Sequence, residues 1–194
     1  MRRLAQVLSC CVLSLLQDSR QASQPRPESA PARKEDEYKV KFAYLFVLTG
    51  FIEWPAEPRD RRTFRIGILG EDPFGAGMDE VLAGKSISGR ACVVQRLGPF
   101  KDLRRVDLLE CDLVFVSRSE RGSLAALFAQ LGTGAVLTVG DAPGFARAGG
   151  MIEMYLQDQR VLFEVNQAAL ARGGLKASSR LLKLARLTEE EPRR

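Results

Sequence analysis

Four apolar runs followed by a pair of alternating ones constrain what this chain can fold into more than any other feature. Phe64 to Leu69 (FRIGIL) reads as a buried strand, and Ala91 to Leu97, Asp112 to Val116 and Ala135 to Val139 (AVLTV) read as three more strands. Met151 to Leu156 and Arg160 to Val165 then alternate apolar and polar residues around Gln157-Asp158-Gln159, the pattern of a hairpin with one solvated face. Helical segments separate the runs. One is predicted from Glu35-Asp36-Glu37, where acid suits the start of a helix. It carries a stripe at Val40, Tyr44, Val47, Leu48 and Phe51, widened by Phe42, Leu45, Phe46 and Ile52, and stops at Trp54-Pro55. Others are expected over Met78 to Leu82, from a Ser119 cap through Leu131, over Gln167 to Ala171, and from Ser178 to Leu187. Strands alternating with helices and closing on a hairpin imply an α/β fold. The expectation is a single layered domain, with a mixed β-sheet flanked by helices and a C-terminal β-hairpin. With 45% apolar residues, 194 residues suffice for a sizeable core.

The first residues belong to a different regime. Met1-Arg2-Arg3 precedes a mostly apolar stretch, Leu4 to Leu16, that is too short to span a bilayer and ends at Asp18. This is the pattern of a secretory signal peptide over 1–23, cleaved near Ala22-Ser23. Val7-Leu8-Ser9-Cys10 resembles a lipoprotein cleavage box, so a lipid anchor stays open beside full release. Residues 24–36, rich in Pro and Ser at first, read as a disordered linker. The folded domain is placed at 37–187, and a polar tail at 188–194. The mature protein is expected to be soluble and exported.

Composition excludes whole classes of function. The chain has no histidine, so His-based nucleophile activation, His-ligated zinc and imidazole proton transfer are absent. Its formal charge is +5. Without Arg2, Arg3, Arg20 and Asp18 there remain 26 basic and 23 acidic residues, a net +3. The signs alternate, as in Glu57-Pro58-Arg59-Asp60-Arg61-Arg62, which is a solvated mixed surface and not a nucleic-acid stripe.

The catalytic motifs fail on spacing. Gly84-Lys85-Ser86 matches the end of a P-loop, but the required first glycine is Asp79. Gly75-Ala76-Gly77 follows a strand, yet the third glycine of a dinucleotide fingerprint is Glu80. The pairs Asp79-Glu80 and Glu189-Glu190-Glu191 sit on expected surfaces with nothing to set their pKa values apart. No metal-ligand cluster and no cofactor loop is present in the sequence, and no enzymatic activity is expected.

Three sets of candidate residues remain. Cys92 and Cys111 flank two expected neighbouring strands; they form either a disulfide, which export permits, or two separate buried thiols. The Gly- and Pro-shaped loop from Asp141 to Ile152 carries an aromatic residue and an arginine, the residue types that dominate binding hot spots. Asp141, Phe145, Arg147, Met151 and Ile152 are its partner-binding candidates, with Phe145 alternatively plugging the core. Glu164, Asn166 and Arg180 either line a small-ligand pocket or, for Glu164 and Arg180, form a structural ion pair.

A family resemblance adds to this reading. Its pieces are Gly50-Phe51-Ile52-Glu53-Trp54-Pro55, Phe64 to Pro73 (FRIGILGEDP), Gly89-Arg90, Cys111 to Val116 (CDLVFV) and Val136-Leu137-Thr138-Val139. Gly144-Phe145-Ala146, Gly149-Gly150-Met151-Ile152, Phe163-Glu164-Val165-Asn166 and Gly174 to Ala185 (GLKASSRLLKLA) follow. In this order, over about Tyr38 to Leu187, the set resembles the YfiR-like family of exported bacterial proteins. The resemblance implies a periplasmic α/β regulator without catalytic activity. It implies docking on the periplasmic sensor domain of an inner-membrane diguanylate cyclase, repression of that enzyme, and restraint of cyclic-di-GMP signalling and biofilm formation. It also implies dimers and redox-responsive disulfides. The type member's cysteine pair around the stretch equivalent to Gly144 to Glu153 has no counterpart here, which leaves Cys92 with Cys111. The alternative function is a small-molecule-binding module that reports to a histidine kinase or transporter.

Overall fold

The computed structural model describes residues 30–55, 62–75 and 77–189, with side chains placed from Glu37 onward. The signal peptide, the lipoprotein box and residues 190–194 of the polar tail lie outside the described residues. Of the two compact units, Met1–Lys34 and Glu35–Arg194, the second is described below.

Helix α1 spans Ala30–Thr49. It therefore starts inside the stretch read as linker. Pro31 stands in its first turn, where a missing N–H costs nothing. It also ends before Trp54-Pro55. Thr49 donates its hydroxyl to the Phe46 carbonyl at 2.7 Å, and Gly50 and Phe51 close short turns onto Val47 and Leu48. The chain then extends into β1 (Ile52–Glu53), which pairs antiparallel with β9 (Lys176–Ala177).

The main sheet has eight strands. In chain order these are β2 (Thr63–Leu69), β3 (Ser86–Ile87), β4 (Arg90–Gly98), β5 (Leu113–Val116), β6 (Leu137–Gly140), β7 (Ile152–Gln157), β8 (Arg160–Asn166) and β10 (Arg186–Thr188). Their spatial order is β10-β8-β7-β6-β5-β2-β4-β3. The run from β4 through β2, β5 and β6 to β7 is parallel; β7–β8 and β3–β4 are antiparallel, and β10 joins β8 in parallel. The expected mixed sheet flanked by helices is therefore present, but the hairpin is not the last element. Arg186 and Leu187, expected to be helical, and Thr188, expected in the polar tail, form a further strand beyond it. The hairpin turn is the two-residue Asp158-Gln159, both at positive φ, as the twist of a tight hairpin demands.

Short helices complete the layers: α2 (Gly77–Leu82), α3 (Arg105–Leu109), α4 (Leu124–Leu131), α5 (Gln167–Arg172) and α6 (Ser179–Leu184). Ser178 caps α6 by accepting the Leu181 N–H, as its position predicts. Ser119 does not cap α4. A 3₁₀ turn over Arg118–Ser123 intervenes, and Ser119 Oγ accepts the Glu71 N–H at 3.0 Å, joining the ends of β2 and β5. The central strands bury both faces. Ile66, Leu113, Phe115, Leu137 and Val139 enter one core with α1, and Val114, Val116 and Phe145 enter a second with α4.

This layering decides the cysteine question. Cys92 pairs with Phe64 on one side of β2, while Cys111 precedes β5 on the other side. Two strand spacings, about 9–10 Å, separate them, beyond disulfide reach. Cys92 packs with the first core and Cys111 with the second. Of the two alternatives left open for Cys92 and Cys111, the structure holds the second, two separate thiols with no disulfide between them. A Cβ on Gly67 would lie 2.8 Å from both Cys111 Sγ and Leu97, so that glycine makes the room Cys111 occupies.

Candidate functional site

The carboxyl ends of the parallel strands gather the chemistry. The sheet changes winding direction at β2, which lies between β4 and β5, and crevices form outside such ends in open α/β sheets. Two structures stand there: a buried charge cluster under α1 and the loop that follows β6.

Asp141 leaves β6 almost fully buried and receives three partners. Lys41 Nζ lies 2.8 Å and Arg118 Nε 3.1 Å from its Oδ2, and the Tyr38 hydroxyl donates to the same oxygen at 2.7 Å. Arg118 also donates to the Asp141 carbonyl at 2.9 Å, and Lys41 pairs with Glu37. Two cations facing two carboxylates make the burial of charge tolerable. Burial, reinforced by the bond to Asp141, pushes the Tyr38 phenol well above its ordinary range. Lys41 is the functional-looking residue that the helical stripe missed. The buried face is Tyr38, Lys41, Phe42, Leu45 and Leu48, whereas Val40 and Val47 of the expected stripe are 45% and 48% exposed. From Phe42 to Leu48 the helix is apolar all round, so periodicity alone admitted two registers. The fully buried lysine three residues after Tyr38 identifies the true one, because a buried cation needs the carboxylate that β6 supplies.

The loop from Asp141 to Gly150 is clamped from inside. Phe145 is fully buried and packs edge-on against Phe128, with centroids 5.4 Å apart. Gly140 and Gly150 cradle its ring: a Cβ on either would come within 2.5 and 2.1 Å of ring carbons. Buried Glu153, another residue the sequence reading missed, accepts the Gly144 and Ala146 N–H groups at 3.1 and 3.2 Å. Asn166 donates to the Ala146 carbonyl at 2.8 Å and accepts the Ala169 N–H at 2.9 Å, so one side chain holds the loop and caps α5. Thr138 Oγ1 accepts the Met151 N–H at 3.1 Å.

These contacts distribute the candidates unevenly. Asp141, Phe145, Met151 and Ile152 point into the protein, whereas Arg147 is exposed together with Pro143, Gly144 and Ala148. Arg147 Nε lies 3.5 Å from Glu164 Oε1, so Glu164 pairs across to the loop and not with Arg180. Arg180 is exposed on α6 and Asn166 is spent on the loop clamp. Away from the loop, Asp112 accepts the Arg65 N–H at 2.9 Å and the Arg90 guanidinium at 2.9 Å, which gives Gly89-Arg90 and Cys111-Asp112 a structural role.

A crevice of about 460 Å³ opens beside the charge cluster, between α1 and the connection from β2 into α2. No group of His, Cys, Asp and Glu among the described residues could hold a metal ion. Among them, no helix is long and apolar enough to cross a membrane.

A sequence model of the YfiR/HmsC-like family matches residues 38–186. No curated protein matches the chain. Among solved structures, a conserved domain protein from Vibrio cholerae O1 biovar El Tor is similar at 10% identity and a TM-score of 0.47. The similarity covers 81% of this chain and 60% of that one. The match from Tyr38 to Arg186 takes in seven of the eight main-sheet strands and the first residue of β10, together with Tyr38, Lys41, Arg118, Asp141 and the clamped loop, and on that ground the chain belongs to the YfiR/HmsC-like family.

Proposed function

We propose that the chain is a periplasmic, non-enzymatic regulator that docks on the periplasmic sensor domain of an inner-membrane diguanylate cyclase and holds it inactive. Family membership supports a periplasmic regulator of cyclase signalling in general. The loop supports the finer reading, docking through its outer surface. Phe145, Glu153 and Asn166 fix its inner side, so Pro143, Gly144, Arg147 and Ala148 stand on a pre-ordered backbone. A surface ordered before contact loses little conformational freedom on binding. Control of the partner requires that the chain bind its two states with different affinities. Limiting cyclic-di-GMP production and biofilm formation follows if the inactive state is the one bound.

Co-purification from a membrane extract tests this reading. The wild-type chain is expected to recover a membrane cyclase. Arg147→Ala and Ala148→Glu, both at exposed positions, are expected to lose it; Ala148→Glu should keep the wild-type melting temperature, whereas Arg147→Ala should lower it because the buried Glu164 carboxylate loses its cation. Equal recovery by all three proteins would remove the loop from the interface. Recovery of no membrane signalling protein by the wild type would remove the function itself.

A further inference from the structure

We infer that the crevice between α1 and α2 is a binding site for a small, uncharged molecule with a hydrocarbon body, at a position separate from the loop. Its volume of about 460 Å³ falls within the range of small-molecule pockets. Its floor is aromatic: Tyr38 and Phe42 lie 5.8 and 5.9 Å from Phe74, and Phe74 rests on Phe115 at 4.7 Å. Met78 and Val81 of α2 form the facing wall, and Val81 is 56% exposed. A half-exposed valine above buried rings is apolar surface that an occupant would remove from water.

The same geometry selects against a charged ligand. The one hydroxyl in the aromatic floor, on Tyr38, already donates to Asp141. A carboxylate or ammonium placed among the rings would lose its hydration without a partner. The two charged side chains of the lining, Lys39 and Glu80, are exposed and opposite in sign, so the mouth favours neither charge. The site also stands beside the carboxyl end of β2, where the winding of the sheet reverses, the location that open α/β sheets use for ligands. None of Glu164, Asn166 and Arg180 lines it.

Titration with N-phenyl-1-naphthylamine, a neutral fluorescent hydrocarbon probe, tests the inference. One saturable site per chain is expected. Two substitutions fill the crevice from opposite walls. Ala43→Trp is on an exposed position of α1, and Gly77→Leu is on α2, where an added Cβ meets nothing within 4 Å. Each is expected to weaken the probe about tenfold or more, equivalent to about 1.4 kcal/mol. Val47→Trp, exposed on α1 but outside the crevice, is expected to leave affinity within about twofold of wild type. Competition with 1-decanol and with naphthalene separates chain-like from flat occupants, and displacement by either supports the site. Failure to saturate, or equal binding by Ala43→Trp and wild type, would overturn it.

Discussion

Replacing Gly150 by alanine probes the clamped loop with a single methyl group. Gly150 has no positive φ, so backbone strain plays no part. The added Cβ would stand 2.1 Å from Cε1, 2.4 Å from Cδ1 and 2.7 Å from Cζ of Phe145. The ring has nowhere to go, because Gly140 on its other side is as tightly approached, at 2.5 Å, and Phe128 closes the edge. Overpacking of this kind costs about 1–3 kcal/mol, and a trapped ring places Gly150→Ala near 3 kcal/mol. Phe145→Ala alone empties the site and costs about 3–5 kcal/mol. In the double variant the new methyl group enters the space the ring has left. Its cost should then fall well below the sum of the two singles, with a coupling of about 2 kcal/mol or more. Urea unfolding of the four proteins closes the cycle, and thermal melting should place Gly150→Ala roughly 6–12 °C below wild type. Additive costs, or a Gly150→Ala loss under about 0.5 kcal/mol, would refute the claim that Phe145 is locked between the two glycines.

Further outcomes follow from the same geometry. Lys41→Ala leaves Asp141 and Glu37 short of a cation in a buried setting and should cost about 3–5 kcal/mol in urea unfolding, whereas Lys41→Met with Asp141→Leu should cost less than Lys41→Ala alone. Tyr38 has a folded pKa raised by burial, so its contribution to stability is fully present below the unfolded value near 10 and declines as pH rises beyond it. The urea midpoint of wild type should accordingly fall more steeply between pH 9.5 and 11.5, roughly the range that brackets that value, than that of Tyr38→Phe; parallel curves would count against the buried phenol. Non-reducing peptide mapping of the exported protein should find no peptide joining Cys92 to Cys111, and a linked peptide would contradict their placement on opposite faces of the sheet.

The sheet was readable because its signal is local. FRIGIL, DLVFV and AVLTV are apolar on both faces, and β-branched residues between Gly and Pro turns admit few alternatives. The alternation around Asp158-Gln159 specified the hairpin for the same reason. Elements that depend on distant partners were not readable. Ile52–Glu53 and Arg186–Thr188 are strands only because β9 and β8 lie beside them. Helix α1 illustrates the limit within one element, since Val40 and Val47 match the helical period as well as Tyr38 and Leu45 do. Only the pairing of Lys41 with Asp141, a hundred residues away, selects the face. The loop stands out in the sequence by its glycines and proline, but its aromatic residue turns inward because Gly140 and Gly150 leave a slot that the ring fills. Glu153 gave no sequence signal beyond a polar position in an alternating strand. Its burial follows from two loop N–H groups that need an acceptor.

Cyclic-di-GMP in cells lacking this chain tests the central claim most directly. Deletion should raise the nucleotide, wild-type complementation should restore the low level, and complementation with exported, folded Ala148→Glu should fail to do so. An unchanged level on deletion, or full restoration by Ala148→Glu, would contradict repression through the outer surface of the loop.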